Sequence, residues 1–216
     1  MDFLELAKKR YSCRKFTTEE VEQEKIDKII EAAMAAPTAI NSQPFKIWVI
    51  TSKEDIGKVG QVTPYTFGAP LIFAVGAKKG IAFNRKFDGK NFCEIDASIV
   101  ATHMMLEIYD LGLGTTWVGH FNPIELKMLF PQMSDYEIVA LFPVGYPAND
   151  SRPSPMHDMT KSKESLAETQ NRAVRGDGSG AYNDFIKTTA KMKGTVKANE
   201  AIKAKQAQAN AGGPAL

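Results

Sequence analysis

The pattern of apolar and polar positions predicts two helices at the start of the chain. Asp2 is suited to cap a first short helix, because the largely apolar residues 3–7 follow it directly. Thr17 and Glu20 have the spacing of a capping box, and apolar residues recur at largely helical spacing after them. The second helix is expected to end before Pro37, since a residue that precedes proline disfavours helical backbone.

Three β-rich runs predict strands. They are PFKIWVIT at 44–51, PLIFAVGA at 70–77 and EIVALFPVGYP at 137–147. Residues 95–111 are apolar on almost every face, which is typical of a helix buried in a core or against another subunit. Asn122, followed by proline, predicts the start of a short helix. The order of these elements lacks regular βαβ alternation, so the pattern favours an α+β fold.

Composition divides the chain into a globular part and a tail. Residues 173–216 contain seven Lys/Arg and three Asp/Glu, a net charge of +4, whereas the whole chain carries +2. We predict one domain at 1–171 and a Lys/Ala-rich segment at 172–216, either a mobile tail or an arm on the body or a second subunit. The small overall charge predicts neither nucleic-acid binding nor attraction to a membrane.

Cysteine usage and hydropathy predict a cytoplasmic setting. Cys13 and Cys93 lack CxxC spacing, so neither a disulfide framework nor a cysteine-based zinc site is supported. Residues 1–9 do not have the layout of a signal peptide, because acidic residues interrupt the apolar ones. No window approaches 18 consecutive apolar residues, so we expect no membrane span.

No arrangement of side chains in the sequence indicates a nucleophile or a metal site. The histidines at 103, 120 and 157 share no metal-ligand spacing, and neither a GxSxG elbow nor a phosphate-binding glycine loop follows a strand. If the protein is an enzyme, a bound cofactor is expected to perform the chemistry. Four polar or basic segments could hold one: RYSCRKF at 10–16, APTAINSQP at 36–44, LGLGTTWVG at 111–119 and KSK at 161–163.

Taken together, these segments give the chain a resemblance to the FMN-dependent nitroreductase family over roughly residues 2–170. The Arg-x-Ser-x-Arg of RYSCR, the APTAINSQPF loop, GLGTTWVGHF, VGYP and KSKESLAE carry the resemblance. It implies a nitroreductase-like α+β fold, a three-layer αβα sandwich whose mixed, mostly antiparallel sheet is flanked by helices. It also implies an intertwined homodimer with FMN sites at the subunit interface.

The resemblance further implies which residues bind FMN. Arg10, Ser12 and Lys163 would hold the phosphate and ribityl end, with Lys161 nearby, since cations and a hydroxyl suit a phosphate dianion. Arg14 would lie beside the pyrimidine of the flavin and support its reduction. The loop at 36–44 would reach the flavin of the partner subunit, and residues 117–119 would back the ring and donate a backbone N–H to N5. No side chain is expected to be catalytic. The expected cofactor contacts are Arg10, Tyr11, Ser12, Arg14, Pro37, Thr38, Ala39, Asn41, Gln43, Trp117, Val118, Gly119, Lys161 and Lys163.

The implied activity is ping-pong transfer of a hydride from NADH or NADPH, through flavin N5, to a small electron-poor acceptor such as a nitroaromatic or a quinone. The short segment at 78–94 would form the rim of the site in place of a longer helical cover. Its candidate substrate neighbours are Phe83, Arg85, Phe87 and Phe92. Two alternatives stay open: a relative dedicated to one substrate, of the dehalogenase or flavin-fragmenting type, or a flavin-binding scaffold without useful turnover.

Overall fold

The computed structural model describes residues 2–167 of the chain. A four-stranded sheet lies between the helices of the fold. Its strands are β1 (Phe45–Ile50), β2 (Leu71–Ala77), β3 (Gly114–Thr115) and β4 (Glu137–Gly145), in the order β1-β2-β4-β3. All neighbouring strands are antiparallel, and a single parallel bridge joins Ser12 to Thr115. The three predicted strands are confirmed, whereas β3 is a two-residue strand that periodicity could not indicate.

Helices account for most of the remaining regular structure. They are α1 (Phe3–Lys9), α2 (Gln23–Met34), α3 (Lys53–Val62), α4 (Cys93–Asp110), α5 (Pro123–Leu129) and α6 (Lys163–Leu166). Two of the three predicted N-caps are confirmed, because the Asp2 carboxylate accepts the Glu5 N–H and the Asn122 amide oxygen accepts two N–H groups of α5. Among residues 2–167, no helix has the length and apolar character needed to cross a membrane.

The predicted start of the second helix is wrong. This helix begins at Gln23, and Glu22 at its N-cap makes no side-chain cap bond. Thr17 instead donates its backbone N–H to the carbonyl of Tyr146 at 2.8 Å, which ties the preceding segment to the end of β4. A tertiary hydrogen bond therefore holds Thr17 outside the helix, and local spacing alone did not reveal this competing contact.

The sheet is covered by helices on both faces. Phe73 and Val75 of β2 point into one core, which includes buried residues of α2 and α4. Ile72 and Ala74, which alternate with them, belong to a second core with buried residues of α3 and α5. This alternation confirms the three-layer αβα arrangement.

The chain divides after Met159 into two units, and only residues 160–167 of the second are described. That portion contains α6, in which the Ser162 hydroxyl accepts the Ser165 N–H at 3.3 Å. The boundary predicted between a domain at 1–171 and a segment at 172–216 lies outside the described residues.

Candidate functional site

The basic segment at the end of α1 runs along the edge of the sheet. Cys13 donates its backbone N–H to the Thr115 carbonyl at 2.9 Å, and its buried thiol lies 3.3 Å from the Ser151 hydroxyl oxygen. Tyr11 donates its hydroxyl to the same serine at 3.1 Å. These bonds place residues 10–14 beside the segment that follows β3, although about a hundred residues separate the two in sequence.

A cleft of about 210 Å³ opens where these two segments meet. It is lined by Arg14, Tyr65, Phe67, Thr116, Trp117, Val118, Gly119 and His120. Four of these residues, Arg14 and the three at 117–119, were predicted to contact the flavin. The structure therefore brings the predicted cation and the predicted backing segment to one surface.

Sequence reasoning missed the aromatic residues that complete the cleft. The Tyr65 ring stands edge-on to His120, with centroids 5.8 Å apart, and lies 5.9 Å from the tilted Phe67 ring. Trp117 packs edge-on against Phe142 of β4 at 5.2 Å, which fixes its indole while leaving part of it exposed. The segment TPYTFG carries no motif, and the left-handed backbone of Phe67, at φ 53°, is the feature that marks it in the structure.

The two arginines of the basic segment, Arg10 and Arg14, differ in burial and in their hydrogen bonds. Arg10 is half-buried, and within residues 2–167 its guanidinium makes neither a hydrogen bond nor an ion pair. Burial lowers the pKa of this guanidinium below its ordinary value. Arg14 is exposed and donates one Nη1 hydrogen bond to the Ser12 carbonyl at 3.2 Å. A partly desolvated cation without a carboxylate partner is suited to bind an anion.

Two backbone N–H groups of the backing segment at 117–119, those of Trp117 and Gly119, have no acceptor among residues 2–167. Val118 is not a donor to a ligand, because its N–H bonds to the Leu141 carbonyl at 3.0 Å. The N–H of Gly119 has no acceptor among the residues that the structure describes, and a Cβ at this position would find its nearest neighbour 3.8 Å away, on Trp117. The donor expected from residues 117–119 is therefore Trp117 or Gly119, and the open space around Gly119 lets a ligand approach its backbone closely.

The loop at 36–44 does not contribute to this cleft within the described protomer. The exposed Pro37 begins the loop, and the Thr38 hydroxyl accepts the backbone N–H of Gln43 at 3.1 Å. The Gln43 side-chain amide donates to the Asn41 amide oxygen at 2.9 Å, so the two predicted amide contacts are paired with each other. Ala39 donates its backbone N–H to the carboxylate of Asp96, a residue that sequence reasoning missed.

The candidate substrate neighbours lie in an ordered turn and do not line the cleft. The Phe83 and Phe92 rings pack edge-on at 5.4 Å, and the Arg85 guanidinium lies 5.7 Å from the Phe92 ring centroid. Arg85 is also ion-paired to Asp88, which lowers the pKa of that carboxyl to about 2. The Phe87 ring makes no aromatic or cation–π contact with residues 2–167 and is 99% exposed.

The late basic residues lie in the second unit. Lys161 is exposed and precedes α6, and Lys163 is the first residue of that helix. Their predicted contacts with a phosphate stay predictions.

Comparison with known proteins agrees with the fold described above. The sequence model of the Nitroreductase family matches residues 7–63 and 62–146. A provisionally named NADH dehydrogenase/NAD(P)H nitroreductase of Methanothermobacter thermautotrophicus is 34% identical over 69% of this chain and 80% of its own length. An FMN reductase [NAD(P)H] of Bacillus subtilis is 31% identical over 67% of this chain and 65% of its own.

A solved structure agrees with these sequence relatives. A nitroreductase family protein from Clostridium difficile 630 superposes with a TM-score of 0.74 at 36% identity, covering 79% of this chain and 99% of its own. Its fold supports the three-layer arrangement described above, and the family match spans α1 through β4. The chain belongs to the nitroreductase family.

Proposed function

We propose that this protein is an FMN-dependent oxidoreductase that takes reducing equivalents from NADH or NADPH. The observation that carries the proposal is the cleft in which Arg14 meets residues 117–119. Four residues before Arg14, the Arg10 guanidinium has no anionic partner among residues 2–167. The names of the Methanothermobacter and Bacillus relatives, which specify NAD(P)H and FMN, support it.

The described residues fit FMN. Arg10 supplies a half-buried cation, and Ser12 supplies a hydroxyl two residues further on, which together suit the phosphate. The aromatic rings of Tyr65, Phe67 and Trp117 line the cleft, which suits a planar ring system. Gly119 supplies a backbone N–H that has no competing acceptor among residues 2–167.

When bound, FMN accepts a hydride from the nicotinamide and passes the electrons on to a second substrate. The protein's own contribution is position and electrostatics. Arg14 places a fixed positive charge at the cleft, where it favours the more negatively charged, reduced form of a bound cofactor. Hydride transfer in this first half-reaction needs no general acid or base, so the residues that line the cleft would contribute by orienting the cofactor and the nicotinamide.

We infer that a second copy of the chain completes each site. The loop at 36–44 makes no part of the cleft of its own protomer, yet it exposes Ile40 and Asn41 on left-handed backbone. A loop supplied in this way would close the open side of the cleft of a second protomer. The proposal also includes Lys161 and Lys163 as phosphate contacts, as implied by the family resemblance.

The acceptor is proposed to be a planar, electron-poor small molecule, such as a nitroaromatic or a quinone, that replaces the nicotinamide nucleotide on the same surface. The aromatic lining of the cleft supports this class, because such rings stack well on aromatic surfaces. Phe87 is the best candidate of the four substrate neighbours, since Phe83, Arg85 and Phe92 are engaged with one another.

The deciding experiment is the visible absorption spectrum of the purified protein, supplied with FMN if colourless, before and after anaerobic addition of NADH and then NADPH. A bound-flavin spectrum that either nucleotide bleaches, and that a quinone restores, supports the oxidoreductase. A flavin spectrum that neither nucleotide bleaches favours the scaffold alternative. Bleaching without reoxidation by quinones or nitroaromatics favours a relative dedicated to one substrate. Failure to bind FMN overturns the proposal.

A further inference from the structure

The loop that the proposed function assigns to FMN is held in an unfavourable backbone conformation. Ile40, Asn41 and Gln43 have φ values of 52°, 54° and 44°, in the left-handed region that residues with a Cβ rarely occupy. The conformation is most costly for the β-branched Ile40, whose side chain is 78% exposed and gains little from packing. Such strain persists only where surrounding contacts determine it.

One of those contacts comes from the first turn of α4. Asp96 is only 1% exposed, and its Oδ1 accepts the Ala39 N–H at 3.0 Å, immediately before the left-handed residues. The loop's own bonds run between Thr38, Asn41 and Gln43 and fix its internal shape. The Asp96 bond is therefore the described hydrogen bond that ties this shape to a rigid helix.

The carboxylate is poorly arranged for stability alone. Its Oδ2 is buried without a hydrogen-bond partner in the described part of the chain, and burying an incompletely paired carboxylate is costly. The N-terminal position in α4 offsets part of this cost. The buried hydroxyl oxygen of Ser42, on the same loop, also has no partner among residues 2–167. The contact between the loop and α4 thus includes two buried polar atoms, Asp96 Oδ2 and Ser42 Oγ, that a contact serving stability alone would not need.

We propose that Asp96 is a positioning residue for cofactor binding: it holds Ala39, and through it the strained loop at 38–43, in the conformation that contacts FMN. The inference rests on the proposed function, in which this loop contacts FMN in the second protomer. Asp96 acts through the Ala39 N–H and does not itself touch the cofactor.

The test compares FMN dissociation constants of the full-length protein and its variants, measured by flavin fluorescence, with the thermal midpoint of each apoprotein. D96A removes the acceptor and is expected to weaken FMN binding by roughly tenfold. D96N keeps an Oδ1 acceptor at nearly the same volume and is expected to restore affinity to within a few-fold of the original. E94A removes an exposed acid from the same turn and is expected to leave the affinity unchanged.

A loop-side variant tests the same bond without touching Asp96. A39P deletes the N–H donor, and proline is tolerated at the start of a helical turn after the extended Thr38. If the two groups act through one bond, A39P also weakens FMN binding, and D96A adds little to it in the double variant. If D96A fails to fold, D96N replaces it in the comparison with A39P.

The outcomes separate this inference from the proposed function. A wild-type protein that binds no FMN overturns both. Wild-type binding together with unchanged affinity in D96A and A39P, whatever their thermal midpoints, overturns the role of Asp96 alone. Equal loss of affinity in D96A and D96N also overturns it, because the retained acceptor would then have no effect.

Discussion

Gly114 and Cys13 pack so closely that no side chain fits between them. A Cβ placed on Gly114 would lie 2.6 Å from the Cys13 Sγ, well inside van der Waals contact. The contact coincides with the hydrogen bond from the Cys13 N–H to the Thr115 carbonyl, so it sets how closely the basic segment approaches the sheet. The position of Arg14 at the cleft depends on this approach.

We therefore expect Gly114→Ala to destabilise the protein by roughly 1–3 kcal/mol, the usual cost of inserting a methyl group into a packed core. It should also weaken FMN binding, because residues 10–14 must shift away from the cleft. Denaturant unfolding and an FMN titration measure the two effects. Gly57→Ala is the matched control, since a Cβ on this helical glycine meets nothing within 4 Å. It should stabilise the protein by about 0.5–1 kcal/mol without changing FMN affinity.

Replacement of Arg10 separates binding from stability. Because its half-buried guanidinium has no anionic partner among residues 2–167, Arg10→Ala should leave the stability of the apoprotein unchanged or slightly higher. FMN affinity should fall roughly ten- to a hundredfold, the effect expected on loss of a hydrogen bond to a charged group. Lys9→Ala is the control, because Lys9 carries the same charge but is ion-paired to Glu5 on the surface. Equal affinities for FMN in the two variants would exclude Arg10 from the phosphate site.

Arg14 is expected to affect reduction more than it affects folding. It is exposed, and its one described side-chain bond is to a carbonyl two residues away, so Arg14→Ala should cost little stability. Loss of the cation should weaken FMN binding or shift the midpoint potential of bound FMN to more negative values. The shift is on the order of 30 mV for each tenfold change in the affinity for reduced FMN relative to oxidised FMN. Spectroelectrochemistry measures the potential, and Arg14→Lys should recover part of the change. Unchanged affinity and potential would remove Arg14 from the site.

Much of the core was predictable from sequence because continuous apolar runs report burial directly. The run in β2 is buried at every position and the helix α4 is apolar on almost every face, and both elements formed where these runs placed them. The helix α3 was not predicted, although Ser52 caps it and the buried Val59 and Val62 mark its inner face. Its glycines lower helical propensity, and packing against the sheet outweighs that cost.

The cleft was predictable only in part, because its two halves are joined by tertiary contacts. Arg14 and Trp117 were found through motifs, but their proximity depends on the bond from Cys13 to Thr115, which no local pattern encodes. Tyr65 and Asp96 were missed for the same reason. A tyrosine in a connecting segment and an acid at the start of a helix are ordinary features until the fold brings them to a loop or a cleft.

The thiol of Cys93 is expected to make the free energy of unfolding fall as pH rises above 9. Burial, with smaller contributions from Glu137 and Glu94, raises the pKa of this thiol from 9.0 to about 11. The folded protein therefore retains the proton at pH values where the unfolded chain has released it. The resulting stabilisation is fully present below pH 9 and is lost as pH rises towards 11. Between these pH values, the free energy of unfolding measured with denaturant should fall less steeply with pH for Cys93→Ala than for the original protein. Parallel declines would contradict the raised pKa.

Phe87 can be tested without disturbing the fold. The ion pair between Arg85 and Asp88 holds the turn, while the Phe87 ring is 99% exposed and contributes little to packing. Phe87→Ser should therefore leave the thermal midpoint unchanged but raise KM for an aromatic acceptor a few-fold, on the order of the loss of one aromatic contact. Reduction of bound FMN by NAD(P)H should keep its rate. Phe83→Ser is the control, because it removes the edge-on contact with Phe92 and should lower stability. An unchanged KM for quinones and nitroaromatics alike would exclude Phe87 from the acceptor site, and the turn would then serve the fold alone.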